Sequence, residues 1–212
     1  MRSLKDRCRS MEIGDCQVML VGTIKGLLSE GEIVRNIYER FCPEALCLHI
    51  SMEEIEGLKA VVQGKVKETS LSKTEKIYAR EMSKFGEVQI PPPSLVEACR
   101  ISMESGIPLK PLDMDEDSYS NLYTGLIGGT TMVRQSLRLK RINRRKFKAT
   151  TPEDMVIEWD RIINRFRGFK LLEDQREKNM ASRIRSISSR YSRILAVLEY
   201  ERMEGIISHL AG

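Results

Sequence analysis

Cys47 and His49 stand two residues apart in the apolar run Ala45-Leu46-Cys47-Leu48-His49-Ile50, so a strand would put both on one face. With Cys42 nearby, thiolate and imidazole are donors that a zinc-type ion takes. No Cys-x-x-Cys and no second cluster completes a tetrahedral set, so the reading is a buried thiol and a hydrogen-bonded histidine, with no metal and no cofactor. Asp113, Asp115 and Asp117 are spaced like a calcium loop but lack its glycine and distal glutamate, and read as a solvated turn. Gly125, Gly128 and Gly129 lack the Lys-Ser/Thr of a phosphate loop. No Gly-x-Ser-x-Gly occurs. From Arg134 to Lys148 the chain carries eight cations and no acid. Arg138, Lys140, Arg141, Arg144, Arg145 and Lys146 form the patch that could meet a polyanion. Phe147 alone could stack on a base there, so nucleic acid is the weaker expectation.

The balance of the whole chain limits the partners further. It has 212 residues, 41% hydrophobic and 31% charged, enough apolar content for a packed core and too much for disorder. The net charge of +5 is mildly basic, well short of a dedicated nucleic-acid protein. No apolar stretch approaches the roughly 18 residues that cross a bilayer. Five cysteines, an odd count, and the absence of an apolar leader after Met1 point to reduced thiols in a cytoplasm.

Residues 17–21, 45–50 and 193–198 read as buried strands, and 107–112, interrupted by prolines, as an edge strand. Ser29…Glu32, Ser51…Glu54, Ser72…Glu75 and Ser94…Glu97 read as capping boxes opening amphipathic helices. Thr151-Pro152 starts a further helix with the stripe Met155, Val156, Trp159, Ile162, Ile163 and Phe166. Strands alternating with capped helices predict one α/β domain over 1–212: a mostly parallel sheet flanked by helices, an arm over 1–16, and a helical insertion over about 116–190 before the last strand. In such sheets ligands bind outside the carboxyl ends of the strands.

At those ends the chain resembles the TraB family, which includes the Tiki-like proposed metalloproteases. The family's Gly-Thr-Ala-His stands here as Gly22-Thr23-Ile24-Lys25, and its Pro-Asp-Val-Val-Ala-Val-Glu-Leu-Asp as Pro43-Glu44-Ala45-Leu46-Cys47-Leu48-His49-Ile50-Ser51. Its Gly-x-Glu-Met falls at Pro92-Pro93-Ser94-Leu95 and its Asp-Arg-Asp at Asp113-Met114-Asp115. Its Arg-Asp-Arg-Tyr-Met-Ala is similar to Arg176-Glu177-Lys178-Asn179-Met180-Ala181, and its closing Gly-Ala-Gly-His-Val-x-Gly-Ile falls at Glu199-Tyr200-Glu201-Arg202-Met203-Glu204-Gly205-Ile206.

The resemblance implies an ancestral site at Lys25, His49, Ser94, Asp113, Arg176 and Arg202. Where the family carries two histidines and two glutamates, this chain has Lys25, Arg202, His49 and Ser94. Protonated lysine and arginine offer no lone pair to a metal. The expectation is therefore a non-catalytic TraB-like domain that binds a partner or a small anionic ligand in the old cleft. Its binding residues are Lys25, Glu199, Glu201 and Arg202, with Lys25 and Arg202 paired to Glu199 or Glu201. A metal-dependent or rebuilt hydrolase or peptidase around His49, Asp113 and Arg176 is the alternative, and polyanion binding through 134–148 the weaker one. Trp159, Phe166 and Phe169 beside basic residues predict a homodimer.

Overall fold

The computed structural model describes residues 4–65 and 71–212. The apolar runs form β2 (Cys16–Thr23), β3 (Ala45–Leu48) and β5 (Arg193–Glu199). Strands covered on both faces cannot alternate polar with apolar residues, which is why these segments read as near-continuous apolar runs. β2 pairs with β5 and β5 with β3, all parallel, and the short proline-bearing β4 (Leu109–Pro111) adds in parallel beyond β3. The order is β1-β2-β5-β3-β4, with β1 (Cys8–Ile13) antiparallel to β2.

That first strand corrects the expected arm over 1–16. Gly14, at φ +59°, makes a tight turn that folds Cys8–Ile13 back along β2. Met11 and Ile13 pack on the core while Ser10 and Glu12 face solvent. Residues 1–3 lie outside the described residues.

One side of the sheet is covered by α1 (Ser29–Phe41), α2 (Met52–Val62) and α4 (Pro93–Ser105), through Val34, Ile55, Leu95 and Cys99. The other is covered by α8 (Arg167–Ser188) and α9 (Met203–Ala211), through Met180, Ile184, Met203 and Ile206. The insertion consists of α5 (Glu116–Leu126), α6 (Gly129–Ile142), α7 (Pro152–Ile163) and α8, placed between β4 and β5. A third apolar cluster joins α7 to α3 (Lys73–Met82) and holds Ile24, Tyr78, Met82, Met155 and Val156.

Two of the four expected capping boxes form. The Ser51 and Ser72 hydroxyls accept the N–H groups of Glu54 and Glu75, whose carboxylates accept the serine N–H groups in return. Ser29 and Ser94 lie inside their helices instead. There Glu30 turns inward to the buried Arg7, and Glu97 pairs with Arg35 and Arg100. For Glu97 a tertiary ion pair outcompetes the local cap; in the other expected box the capping glutamate is Glu32, and no side-chain cap forms at the start of α1.

The aromatic stripe expected to seek a second copy is used within the chain. Trp159 stands edge-on to Tyr78 at 5.1 Å and stacks with Phe147 at 5.9 Å. Phe169 meets Tyr123, and Phe166 lies under Arg134. The exposed apolar side chains of the insertion are Met132, Val133 and Leu137 on α6, with Leu171 on α8. Among the described residues no helix is long and apolar enough to cross a membrane.

Candidate functional site

The three central strands end together. Thr23 is in register with Glu199, and His49 follows β3 where Leu48 pairs with Val197. Strand ends leave carbonyls without ladder partners, and side chains take them here. The Thr23 hydroxyl donates to the Leu198 carbonyl at 3.1 Å. His49 donates twice to the Val197 carbonyl, from its backbone N–H at 3.2 Å and from Nδ1 at 3.1 Å. A carbonyl only accepts, so the proton is on Nδ1 and Nε2 is free to face Glu199, whose Oε1 lies 3.8 Å away.

A cleft of about 350 Å³ opens over these ends, lined by Lys25, His49, Ser94, Arg176 and Glu199, with Pro91 and Pro92 on its rim. The structure thus brings together four of the six positions that the family resemblance singles out. The fifth, Asp113, lines an adjoining recess of about 420 Å³ that shares Arg176 and Glu54 with the cleft. Asp113 Oδ2 accepts from Arg176 Nε at 3.0 Å, and Glu173 accepts from Nη1 at 2.8 Å. Burial works against the Arg176 charge, but Glu173, Asp113 and Glu199 outweigh it and hold the guanidinium above its ordinary range.

The sixth position, Arg202, stands elsewhere. It is buried and ion-paired to Asp160, to Glu177 at 3.0 Å and to Glu173 at 3.4 Å. Burial alone pushes it down to about 10, and the three carboxylates favour its charged form. The expected pairing of Arg202 with Glu199 or Glu201 is therefore wrong. The turn after β5 aims Arg202 at α7 and α8, whose acids could not be assigned to it from spacing alone. Lys25 makes no ion pair among the described residues. It is exposed, and its charge reaches Glu199 and Glu201 only as a longer-range field.

Burial would raise the Glu199 carboxyl, but His49, Lys25 and Arg176 together hold it below its usual range. Glu201 goes the other way: burial and the neighbouring Glu199 charge push it up to about 8. Its Oε2 is buried without a hydrogen-bond partner among the described residues. Ser94 is buried at the start of α4 and lines the cleft. Among the described residues, no three His, Cys, Asp or Glu donors at this cleft approach closely enough to share one ion.

Cys47 is enclosed in the apolar core, where burial pushes its thiol up to about 12. Cys42 is exposed and donates to the Glu39 carbonyl. The expected solvated turn at Asp113, Asp115 and Asp117 divides: Asp115 caps α5 by accepting the Ser118 N–H at 2.8 Å, while the buried Asp113 turns inward to Arg176.

The basic run does not form one stripe. Lys140 lines a groove of about 750 Å³ between α3, α5, α6 and α8. Arg138 and Arg145 line a different cleft of about 950 Å³, joined by Lys148, Arg161 and Arg165. Arg141, Arg144 and Lys146 are exposed outside both. Arg161 and Arg165 were not among the sequence candidates, because their approach to Arg138 depends on how α7 packs. Burial and the charges of Arg165 and Arg145 push Arg138 below its ordinary range.

Compared with known proteins, the chain matches no protein-family model and no curated protein.

Proposed function

We propose that the chain is a TraB-like domain that has given up metal and acid–base chemistry and binds a small ligand bearing an anionic group in the cleft at the strand ends. One observation carries this reading: Lys25 is exposed at the cleft with no carboxylate in ion-pair distance among the described residues, while Arg176 and Arg202 are already answered by acids. Lys25 is then the cation that takes the ligand's anionic group. The Glu199 carboxylate and the Ser94 hydroxyl are placed to accept hydrogen bonds from the same ligand. His49 is a wall of the site, its Nδ1 already committed to Val197. A reducing, cytoplasmic setting suits the five unpaired cysteines.

The test is calorimetric titration with small carboxylates and amino acids against the wild type and Lys25→Gln. Saturable binding lost in the variant supports the reading. Peptide hydrolysis that disappears with chelator and in His49→Ala overturns it in favour of the hydrolase built on His49, Asp113 and Arg176.

A second reading rests on the crowding of Arg138, Arg145 and Arg165. Arg138 and Arg165 have no ion pair among the described residues, so an anion entering their cleft would relieve like-charge repulsion. Retention on heparin that falls with salt, and falls further in the double variant Arg138→Gln, Arg165→Gln, would assign polyanion binding to this cleft. The homodimer reading now rests on Val133 and Leu137, exposed one turn apart on α6. A monomer mass by light scattering, unchanged by Leu137→Ser, would end it.

A further inference from the structure

We propose that Asp174, Glu177 and His209 form a zinc-type metal site that clips α9 onto α8, separate from the cleft at the strand ends. Asp174 and Glu177 are three apart on α8, and Gly205 and His209 four apart on α9, so each pair shares one helix face. The two faces meet. One donor atom from each of Asp174, Glu177 and His209 lies within 4.8 Å of the others. His209 Nε2 is 3.1 Å from Asp174 Oδ1, close to the roughly 3.3 Å edge of a tetrahedron around an ion with bonds of about 2.0 Å.

The third donor is held ready. Glu177 Oε1 is engaged by Arg202 at 3.0 Å, which leaves Oε2, turned toward Gly205. A side chain at position 205 would fall on that carboxylate, so the glycine keeps the space open. Arg185 of α8 donates to the His209 and Leu210 carbonyls at 2.7 and 3.1 Å, which fixes the end of α9 over its partner. The donors therefore sit on two helices already docked, and little ordering remains to oppose binding.

Two carboxylate oxygens and one imidazole nitrogen suit zinc, with water in the remaining position. The ion replaces the proton between His209 and Asp174. His209 binds as the neutral ring through Nε2, its remaining proton on Nδ1, and any second proton leaves to solvent. The effect is structural: α9 follows the turn that carries Glu201 and Arg202, so a clip on α9 steadies both.

The test is calorimetric titration of Zn²⁺ into the chelator-treated full chain, with thermal unfolding in parallel. The expected result is one ion per chain and a higher Tm with zinc. Asp174→Asn and His209→Gln should each weaken binding by roughly ten-fold or more while circular dichroism stays native. His49→Ala and Cys42→Ser should leave it unchanged. The proposal is overturned by no saturable binding, by binding that survives both His209→Gln and Asp174→Asn, or by binding abolished in Cys42→Ser or His49→Ala. Because Lys25→Gln does not touch these ligands, failure here and failure of the ligand-binding reading are told apart.

Discussion

Glu199 and Glu201, two residues apart where β5 ends, shift in opposite directions: the His49 ring, Lys25 and Arg176 hold Glu199 below its usual range, while burial and the Glu199 charge push Glu201 up to about 8. Lys25 acts on both, yet pairs with neither among the described residues. Glu199 lines the cleft at the strand ends, while Glu201 lines the separate cleft that holds Arg138 and Arg145.

This relationship makes stability depend on pH with a definite sign. The folded pKa of Glu201 is raised, so its contribution is complete below the unfolded value of about 4.3 and is lost as the pH rises through about 8. Glu201→Gln should abolish that loss and gain on the wild type at alkaline pH by several kcal/mol. Urea unfolding at acid and alkaline pH checks it. Parallel curves for the two proteins would show that Glu201 does not titrate in this range.

Arg202 holds three carboxylates, and removing it leaves Asp160, Glu173 and Glu177 to repel one another in a partly buried space. Arg202→Met should cost about 3–5 kcal/mol at neutral pH. Burial already raises Glu173, and pushes Glu177 up to about 7, so both protonate readily once the cation is gone. The deficit should shrink on acidification to about pH 5. An unfolding midpoint lowered equally at both pH values would contradict this account.

Asp113 ties the start of the insertion to α8 through Arg176. Asp113→Asn keeps the shape and the acceptor for the Met114 N–H but removes the charge. It should destabilise by about 3 kcal/mol, since a half-buried arginine loses one of its two bonded acids. Restoring most of that stability in Asp113→Asn with Arg176→Met would separate the cost of a stranded charge from the worth of the pair, in a double-mutant cycle.

Arg7 links the segment before β1 to α1 and α7. It donates to the Gly22 carbonyl at 3.0 Å, pairs with buried Glu30, and lies 3.7 Å from buried Glu153. Arg7→Met should cost about 3 kcal/mol, and Glu30→Gln added to it should recover part of that. Hydrogen exchange of the β1 amides, faster in Arg7→Met than in the wild type, reads the same contact locally.

The strands of the sheet centre were legible because full burial writes itself as an apolar run, and α2 and α3 because their capping boxes are local. Lys25, His49 and Asp113 were legible as candidates because each follows a strand, where parallel sheets gather their ligand groups, and Ser94 only because the family resemblance pointed to it. Which charges answer one another was not legible. Arg202 met acids on α7 and α8 instead of those beside it in sequence, and Glu97 left its expected cap for Arg35, distant along the chain. Capping and strand burial depend on neighbours a few residues away, so sequence determines them. Ion pairs, the spent aromatic stripe and the facing of α8 with α9 depend on how helices dock, and only the tertiary structure brings those partners within a few ångströms.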